Sequence, residues 1–195
     1  LSKRDGDRLG FPVFPLEWNN PDLGISISGY KESGFLPEAF INMLAFLGWN
    51  PGGSQEIFSK MDLINSFSLE RVNKSGARYN FQKMIWFNQQ YLRSTPNHNL
   101  LKMIKPLIAQ QNIKLAEDYI LTAISIIKER ITFSKEILSE GDYLFTSPTS
   151  YDEKTVSKKW KKESVIHLKS LAGEMEKMDH FSSSSIEQLL HAYLK

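Results

Sequence analysis

The sequence predicts a mostly α-helical protein that opens with an irregular, glycine-rich stretch. Three observations carry that expectation. From residue 34 onward, apolar residues recur at spacings of three and four, the period of a helix with one packed face. Cap-forming residues stand in front of several of these runs. Only one short alternation, Ile25 and Ile27 with Ser26 and Ser28, has the period of a strand.

Residues 1–34 are punctuated by Gly6, Gly10, Pro12, Pro15, Asn19-Asn20-Pro21, Gly24, Gly29 and Gly34, so they read as a long loop with one possible strand. Pro37 and Glu38 suit the first turn of a helix, with Phe40, Met43, Leu44 and Leu47 as its stripe and Gly48 as its stop. Ser59-x-x-Asp62 has the form of a capping box opening a short helix through Met61, Ile64 and Phe67. After the Lys74-Ser75-Gly76 turn, Asn80 caps a helix with the stripe Phe81, Met84, Ile85 and Tyr91.

The remainder reads as helix from about residue 97. Leu100, Leu101, Ile104 and Ile108 form one stripe; Ala116, Tyr119, Ala123 and Ile126 form the next. Residues Tyr143 to Ser150 interrupt the pattern around Pro148. A long helical segment is expected from about Asp152 to Lys177, carrying Val156, Trp160, Leu168, Leu171 and Met175. Ser184-x-x-Glu187 then reads as a second capping box, ahead of Ile186, Leu189, Leu190, Tyr193 and Leu194.

Composition narrows the chemistry. With 195 residues, 41% of them hydrophobic, the chain can bury a core as one large domain or two small ones. It has no cysteine, which excludes disulfide scaffolds, thiolate metal sites and cysteine nucleophiles, and fits a reducing compartment. The net charge is only +2, so any contact with nucleic acid must come from local arrangement. The most apolar stretch, Tyr119 to Ile127, is nine residues long. A membrane helix needs roughly 20. The chain starts without Met or an apolar leader and is expected to be a piece of a longer protein.

Familiar catalytic patterns are missing. The four histidines, His98, His167, His180 and His191, lack a two-histidine metal spacing, and no metal site is expected. There is no Gly-x-Ser-x-Gly elbow, Walker loop or dinucleotide fingerprint. What remains is suited to binding. Lys158-Lys159-Trp160-Lys161-Lys162 could neutralise phosphates around a stacking aromatic, or be a solvated face with snorkelling lysines. Arg130 falls where the stripe through Tyr119, Ala123 and Ile126 calls for a hydrophobe. It is either a helix-end cation or a guanidinium fork aimed at a base edge. Asn88, between Ile85 and Tyr91, is either a satisfied buried amide or a positioning contact. The N-terminal Ser2-Lys3-Arg4 could present a hydroxyl and an ammonium to polyphosphate oxygens.

Four motifs in order resemble one family. Leu1-Ser2-Lys3-Arg4, Gly34-Phe35-Leu36-Pro37-Glu38-Ala39, Leu69-Glu70-Arg71-Val72 and Lys83-x-x-Trp86-x-Asn88-x-x-Tyr91 are similar in order and spacing to bacterial-type glutamyl-tRNA synthetases of class I. The likeness begins inside the Lys-Leu-Ser-Lys-Arg signature loop and continues through Glu129-Arg130 and Asp142-Tyr143-Leu144-Phe145 to the last helix. It implies a parent enzyme that joins glutamate to tRNA-Glu through an ATP-derived glutamyl-adenylate, with Mg2+. In that scheme Ser2, Lys3 and Arg4 belong to the ATP-binding loop, with Lys3 on the phosphates.

The resemblance also implies an organisation: a signature-loop remnant and extended loop over 1–33, and a stem-contact helical region over 34–95. A first α-helical anticodon-binding domain would cover 96–150, and a truncated second one 151–195. Arg130 matches the arginine that contacts the third anticodon base. Asn88, Lys158, Lys159, Lys161 and Lys162 are the further tRNA-binding candidates. The expected setting is a cytoplasmic monomer away from membranes. The nucleotide-binding half with its His-x-Gly-His-type motif is missing, so this chain alone is expected neither to bind ATP nor to activate glutamate. Two alternatives stay open: a non-discriminating enzyme that also charges tRNA-Gln, and a helical protein-interaction module without RNA contact.

Overall fold

The computed structural model describes Arg4, Gly6, Arg8 and residues 10–194. Among the described residues helices dominate, with one two-stranded sheet, and the chain divides into two compact units at Ser147/Pro148.

The first unit opens with a hairpin. Strand β1 (Trp18–Asn20) pairs antiparallel with β2 (Ile25–Ile27), Trp18 opposite Ile27 and Asn20 opposite Ile25. The reversal is local chemistry. Asn20 Oδ1 accepts the Leu23 N–H at 3.1 Å, Pro21 fixes the next φ, and Gly24 takes φ +61°, where a side chain would be strained. The strand at Ile25 and Ile27 agrees with the alternation in the sequence. Its partner leaves no such signal, because Asn19-Asn20-Pro21 reads as pure turn.

Helix α1 (Pro37–Ala45) lies against α3 (Phe81–Ser94), and α4 (Asn97–Gln110) against α5 (Glu117–Ile127). The short α2 (Lys60–Ser66), α6 (Glu136–Glu140) and α7 (Asp142–Phe145) complete the unit. Its main core joins Ala39 and Met43 of α1, Met84, Phe87 and Leu92 of α3, and Leu100 and Ile104 of α4 to Ile120, Ile124 and Ile127 of α5. A smaller cluster of Trp49, Phe58 and Leu63 sits beside it. Ser59 and Asp62 form the reciprocal capping box at α2, and Asn80 Oδ1 accepts the Lys83 N–H at α3.

The second unit holds α8 (Glu153–Lys159), α9 (Ser164–Glu176) and α10 (Ser183–Tyr193). Among its described residues none is buried. The Tyr193 hydroxyl donates to the His167 carbonyl at 2.7 Å, joining α10 to α9.

The stripe of α4 is buried as expected, and several others are corrected. In α1 the packed residues are Ala39, Asn42 and Met43, while Leu44 is exposed and Phe46 caps the helix before Gly48. In α2 the expected Met61 and Ile64 are exposed and Leu63 is the buried residue, while the partly exposed Phe67 at its C-cap stands 5.8 Å from the Trp49 ring of the small cluster. In α5 the buried face is Ile120, Ala123, Ile124 and Ile127, one position away from the stripe through Tyr119 and Ile126. Tyr119 prefers the rim, where its hydroxyl donates to the Leu144 carbonyl at 2.9 Å.

The expected continuous helix from Asp152 to Lys177 is two helices. Trp160 is extended at the C-cap of α8, and the Lys161 N–H donates to Ser164 Oγ at 3.0 Å, a side-chain bond that competes with helix continuation. The last helix also starts earlier than its sequence signal. Ser182, not Ser184, is the cap, accepting the Ser185 N–H at 3.2 Å, and Glu187 lies 3.8 Å from His191 one turn on.

Candidate nucleic-acid interface

Arg130 does not end a helical stripe. Helix α5 stops at Ile127, and Lys128, Glu129 and Arg130 form a turn whose last N–H returns to the Ile127 carbonyl at 2.9 Å. Ile127 and Ile131, each 1% exposed, pin both sides of this turn into the core, leaving Lys128 half-buried and Glu129 and Arg130 exposed between them. Arg93, in the last turn of α3, holds it from beside: its guanidinium donates to the Glu129 carbonyl at 2.7 Å and lies 3.4 Å from the Glu129 carboxylate.

The next residues are fixed as well. Thr132 and Phe133 donate their N–H groups to Glu136 at 2.7 and 3.1 Å, and the Thr132 carbonyl accepts from Asn88 Nδ2 at 2.6 Å. Glu129 is thus occupied by Arg93, while Arg130 is exposed and its guanidinium has no hydrogen bond or ion pair among the described residues. The arrangement is a free five-donor fork on a backbone with little freedom, which suits recognition of a planar acceptor pair.

Asn88 is corrected as a tRNA contact. Its side chain is fully buried and both ends are engaged: Oδ1 accepts the Leu36 N–H at 2.7 Å while Nδ2 donates to Thr132. It satisfies the otherwise uncapped start of α1 and ties it to the loop bearing Arg130.

The other residues of that motif are scaffold too. Lys83 pairs with Glu56 and stands 4.5 Å over the Trp86 ring. The Tyr91 hydroxyl donates to Asn42 Oδ1 at 2.5 Å and also reaches the Phe58 carbonyl. Burial holds the Tyr91 hydroxyl above its ordinary pKa of 10.0, against the pull of its backbone bond to Phe58, so it stays a donor. Asn42, fully buried, accepts the Phe58 N–H at 2.8 Å and donates to the Glu56 carbonyl at 3.0 Å.

Sequence reasoning missed Arg93, Asn42 and Glu136. Only Glu136 left a local signal, an acid three residues past Phe133 in the manner of a capping residue.

In the second unit, Lys158 and Lys159 lie in the last turn of α8, Lys161 and Lys162 in the following turn, and all four are exposed. Of the expected ATP loop, Ser2 and Lys3 lie outside the described residues; Arg4 is helical and exposed. Among the described residues, no three His, Asp or Glu side chains gather as a metal site, and no helix is long and apolar enough to cross a membrane.

Comparison with known proteins gives this geometry a context. A family model described as an anticodon binding domain matches residues 98–195, which include Arg130 and the lysine cluster. The chain belongs to the anticodon-binding-domain family. A second family model, the catalytic domain of class I tRNA synthetases (E and Q), matches residues 22–86, from the turn of the hairpin into α3.

This family member is similar along its whole length to proteins named glutamate–tRNA ligase. The one from Phocaeicola vulgatus is 43% identical over 195 residues, all of this chain and 39% of its own length. The one from Bacteroides fragilis is 44% identical, over 97% of this chain and 38% of its own. A crystal structure of a glutamate tRNA ligase from Elizabethkingia meningosepticum, in complex with its amino acid, superposes with a TM-score of 0.91 at 41% identity. It covers 99% of this chain and 38% of that one. The resemblance to glutamyl-tRNA synthetases is therefore borne out, and so is the mostly α fold. The chain spans about two fifths of the length of these curated relatives.

Proposed function

We infer that this chain is the tRNA-binding part of a glutamate–tRNA ligase, an enzyme that uses ATP with Mg2+ to attach glutamate to tRNA-Glu. The observation that carries the reading is Arg130: an unpaired guanidinium on a turn pinned at Ile127 and Ile131, within the anticodon-binding match. In this reading Arg130 contacts the third anticodon base. Lys158, Lys159, Lys161 and Lys162 serve the phosphates. Residues 34–95 lie along the stem, 96–150 form the first anticodon-binding domain and 151–195 part of the second. Ser2, Lys3 and Arg4 belong to the ATP loop, and the parent works in the cytoplasm as a monomer.

The test is binding of the chain to tRNA-Glu transcripts that differ at the third anticodon position, across a salt series. Wild type should prefer the natural base, and its affinity should fall with rising salt as phosphate counterions are released. Arg130→Ala should reduce the preference by about 1–3 kcal/mol, the worth of one bidentate base contact. Binding without salt dependence and without preference among tRNAs sinks the reading.

A further inference from the structure

The second unit contains an aromatic cleft that the reading above leaves unused. Tyr151 stands just before α8, Trp160 just after it, and Val156 between them; the three side chains line one open cleft of about 380 Å³. They are 71%, 52% and 39% exposed, respectively. Both ends of the helix that separates the aromatics are fixed. The Asp152 carboxylate accepts the Thr155 N–H at 2.7 Å, and the Trp160 N–H donates to the Val156 carbonyl at 2.8 Å. A seven-residue helix is only about 10 Å long, so residues at its two ends can share one small cleft.

The surrounding charge favours one kind of occupant. Lys154, Lys158, Lys159, Lys161 and Lys162 are all exposed, against Asp152, Glu153 and Glu163. None of the five lysines has an ion pair or side-chain hydrogen bond among the described residues, and Asp152 is engaged as a cap. The cleft itself is lined by Tyr151, Val156 and Trp160 alone, so an apolar protein segment there would make no use of the surrounding cations. A nucleotide uses both features at once, its base on an aromatic face and its phosphates against the lysines.

We propose that the Tyr151–Val156–Trp160 cleft holds an unpaired nucleobase of bound RNA by stacking, with the flanking lysines on the adjoining phosphates. The proposal rests on the reading of the chain as tRNA-binding and adds a base site separate from Arg130. The two differ in kind. Every base has a π-face, so stacking raises affinity with little regard to sequence, whereas a guanidinium fork discriminates.

The experiment compares tRNA-Glu binding by the full chain with that of Trp160→Phe, Trp160→Leu, Tyr151→Ala and the Lys158→Ala/Lys159→Ala double variant, across a salt series. Trp160→Leu keeps an apolar side chain and removes the π-face. It should weaken binding about ten-fold or more, with the salt slope and the third-base preference unchanged. Trp160→Phe should retain most of the affinity, and Tyr151→Ala should weaken binding as Trp160→Leu does. The double lysine variant should instead lower the slope by about 1–2.

Equal binding by wild type, Trp160→Leu and Tyr151→Ala overturns the stacking site while leaving the tRNA-binding reading intact, provided Arg130→Ala still loses its preference. If Trp160→Leu keeps full RNA affinity but the chain's own self-association changes, the cleft is a protein contact and the proposal is overturned. If wild type shows no salt-dependent binding, both readings fall together.

Discussion

The two units follow different structural logics. Before Pro148, the chain packs around a contiguous core in which Met84, Phe87, Leu92, Leu100, Ile104 and Ile124 have no exposed surface. After it, three helices have no buried residue among those described and are organised by caps and near-neighbour bonds: Asp152 to Thr155, Ser182 to Ser185, Lys177 to Glu174. The candidate functional groups divide along the same line. Arg130 is held by tertiary structure, through Ile127, Ile131, Arg93 and Glu136, whereas Trp160 and its lysines are held by the ends of one short helix. A base-reading group needs a fixed position more than a stacking or phosphate-binding group does.

The strongest way to break this contrast is to remove core from the first unit. Phe87 is fully buried, its ring 5.1 Å from Trp86 and 5.8 Å from Phe46. Phe87→Ala should cost about 3–5 kcal/mol of stability through lost burial and a residual cavity. Leu168→Ala, at a position 48% exposed in α9, should cost within about 0.5 kcal/mol. Thermal melts of the two variants check the ratio. Similar losses would show that the second unit has more packing than its exposed surface indicates.

A smaller effect tests how tertiary structure serves Arg130. Asn88→Ala leaves the Leu36 N–H and the Thr132 carbonyl without partners, at about 2–3 kcal/mol in total. It also frees the loop that follows Arg130. If Arg130 reads the third anticodon base as proposed, that preference should fall, while salt-dependent affinity is retained. Asn88→Asp keeps an acceptor for Leu36 but turns a carboxylate oxygen toward Thr132, so it should remain impaired. Unchanged preference in a destabilised Asn88→Ala would separate the two roles and leave Asn88 as scaffold alone.

The same contrast explains what could be read from the sequence. Local chemistry is legible at the Ser59–Asp62 box, the Asn80 cap, the strand at Ile25 and Ile27, and the break around Pro148, although Tyr143–Phe145, read as part of that break, are helical. Helix phase was harder. In α5, Tyr119 and Ile120 both fit a three-and-four spacing; packing buries the face of Ile120, Ile124 and Ile127 and leaves Tyr119 to bond Leu144, 25 residues away, at the rim. Asn88 looked polar on an apolar stripe because its partners, Leu36 and Thr132, lie 52 and 44 residues distant. Arg130 is an anomaly of periodicity in the sequence, yet the helix has already ended there. Its significance comes from the turn and from Arg93, neither of which the spacing reveals.

The smallest effect concerns a cap in the unit that depends on caps. The Asp152 carboxylate lies below its ordinary pKa of 3.8 because it bonds Thr155 through both the side chain and the backbone N–H of that residue. A lowered carboxylate contributes its stabilisation fully above the ordinary value and loses it as pH falls through the folded one. Helix α8 should therefore fray in acid, below about pH 4. The change should appear as faster amide exchange over residues 153–159, ahead of any loss in α3 or α4. Asp152→Asn keeps a capping oxygen without the titration, so its α8 should become insensitive to acid. Asp152→Ala should fray at every pH. Persistence of α8 in Asp152→Ala would mean that something besides its cap holds it, and the division between packed and capped units would lose its clearest case.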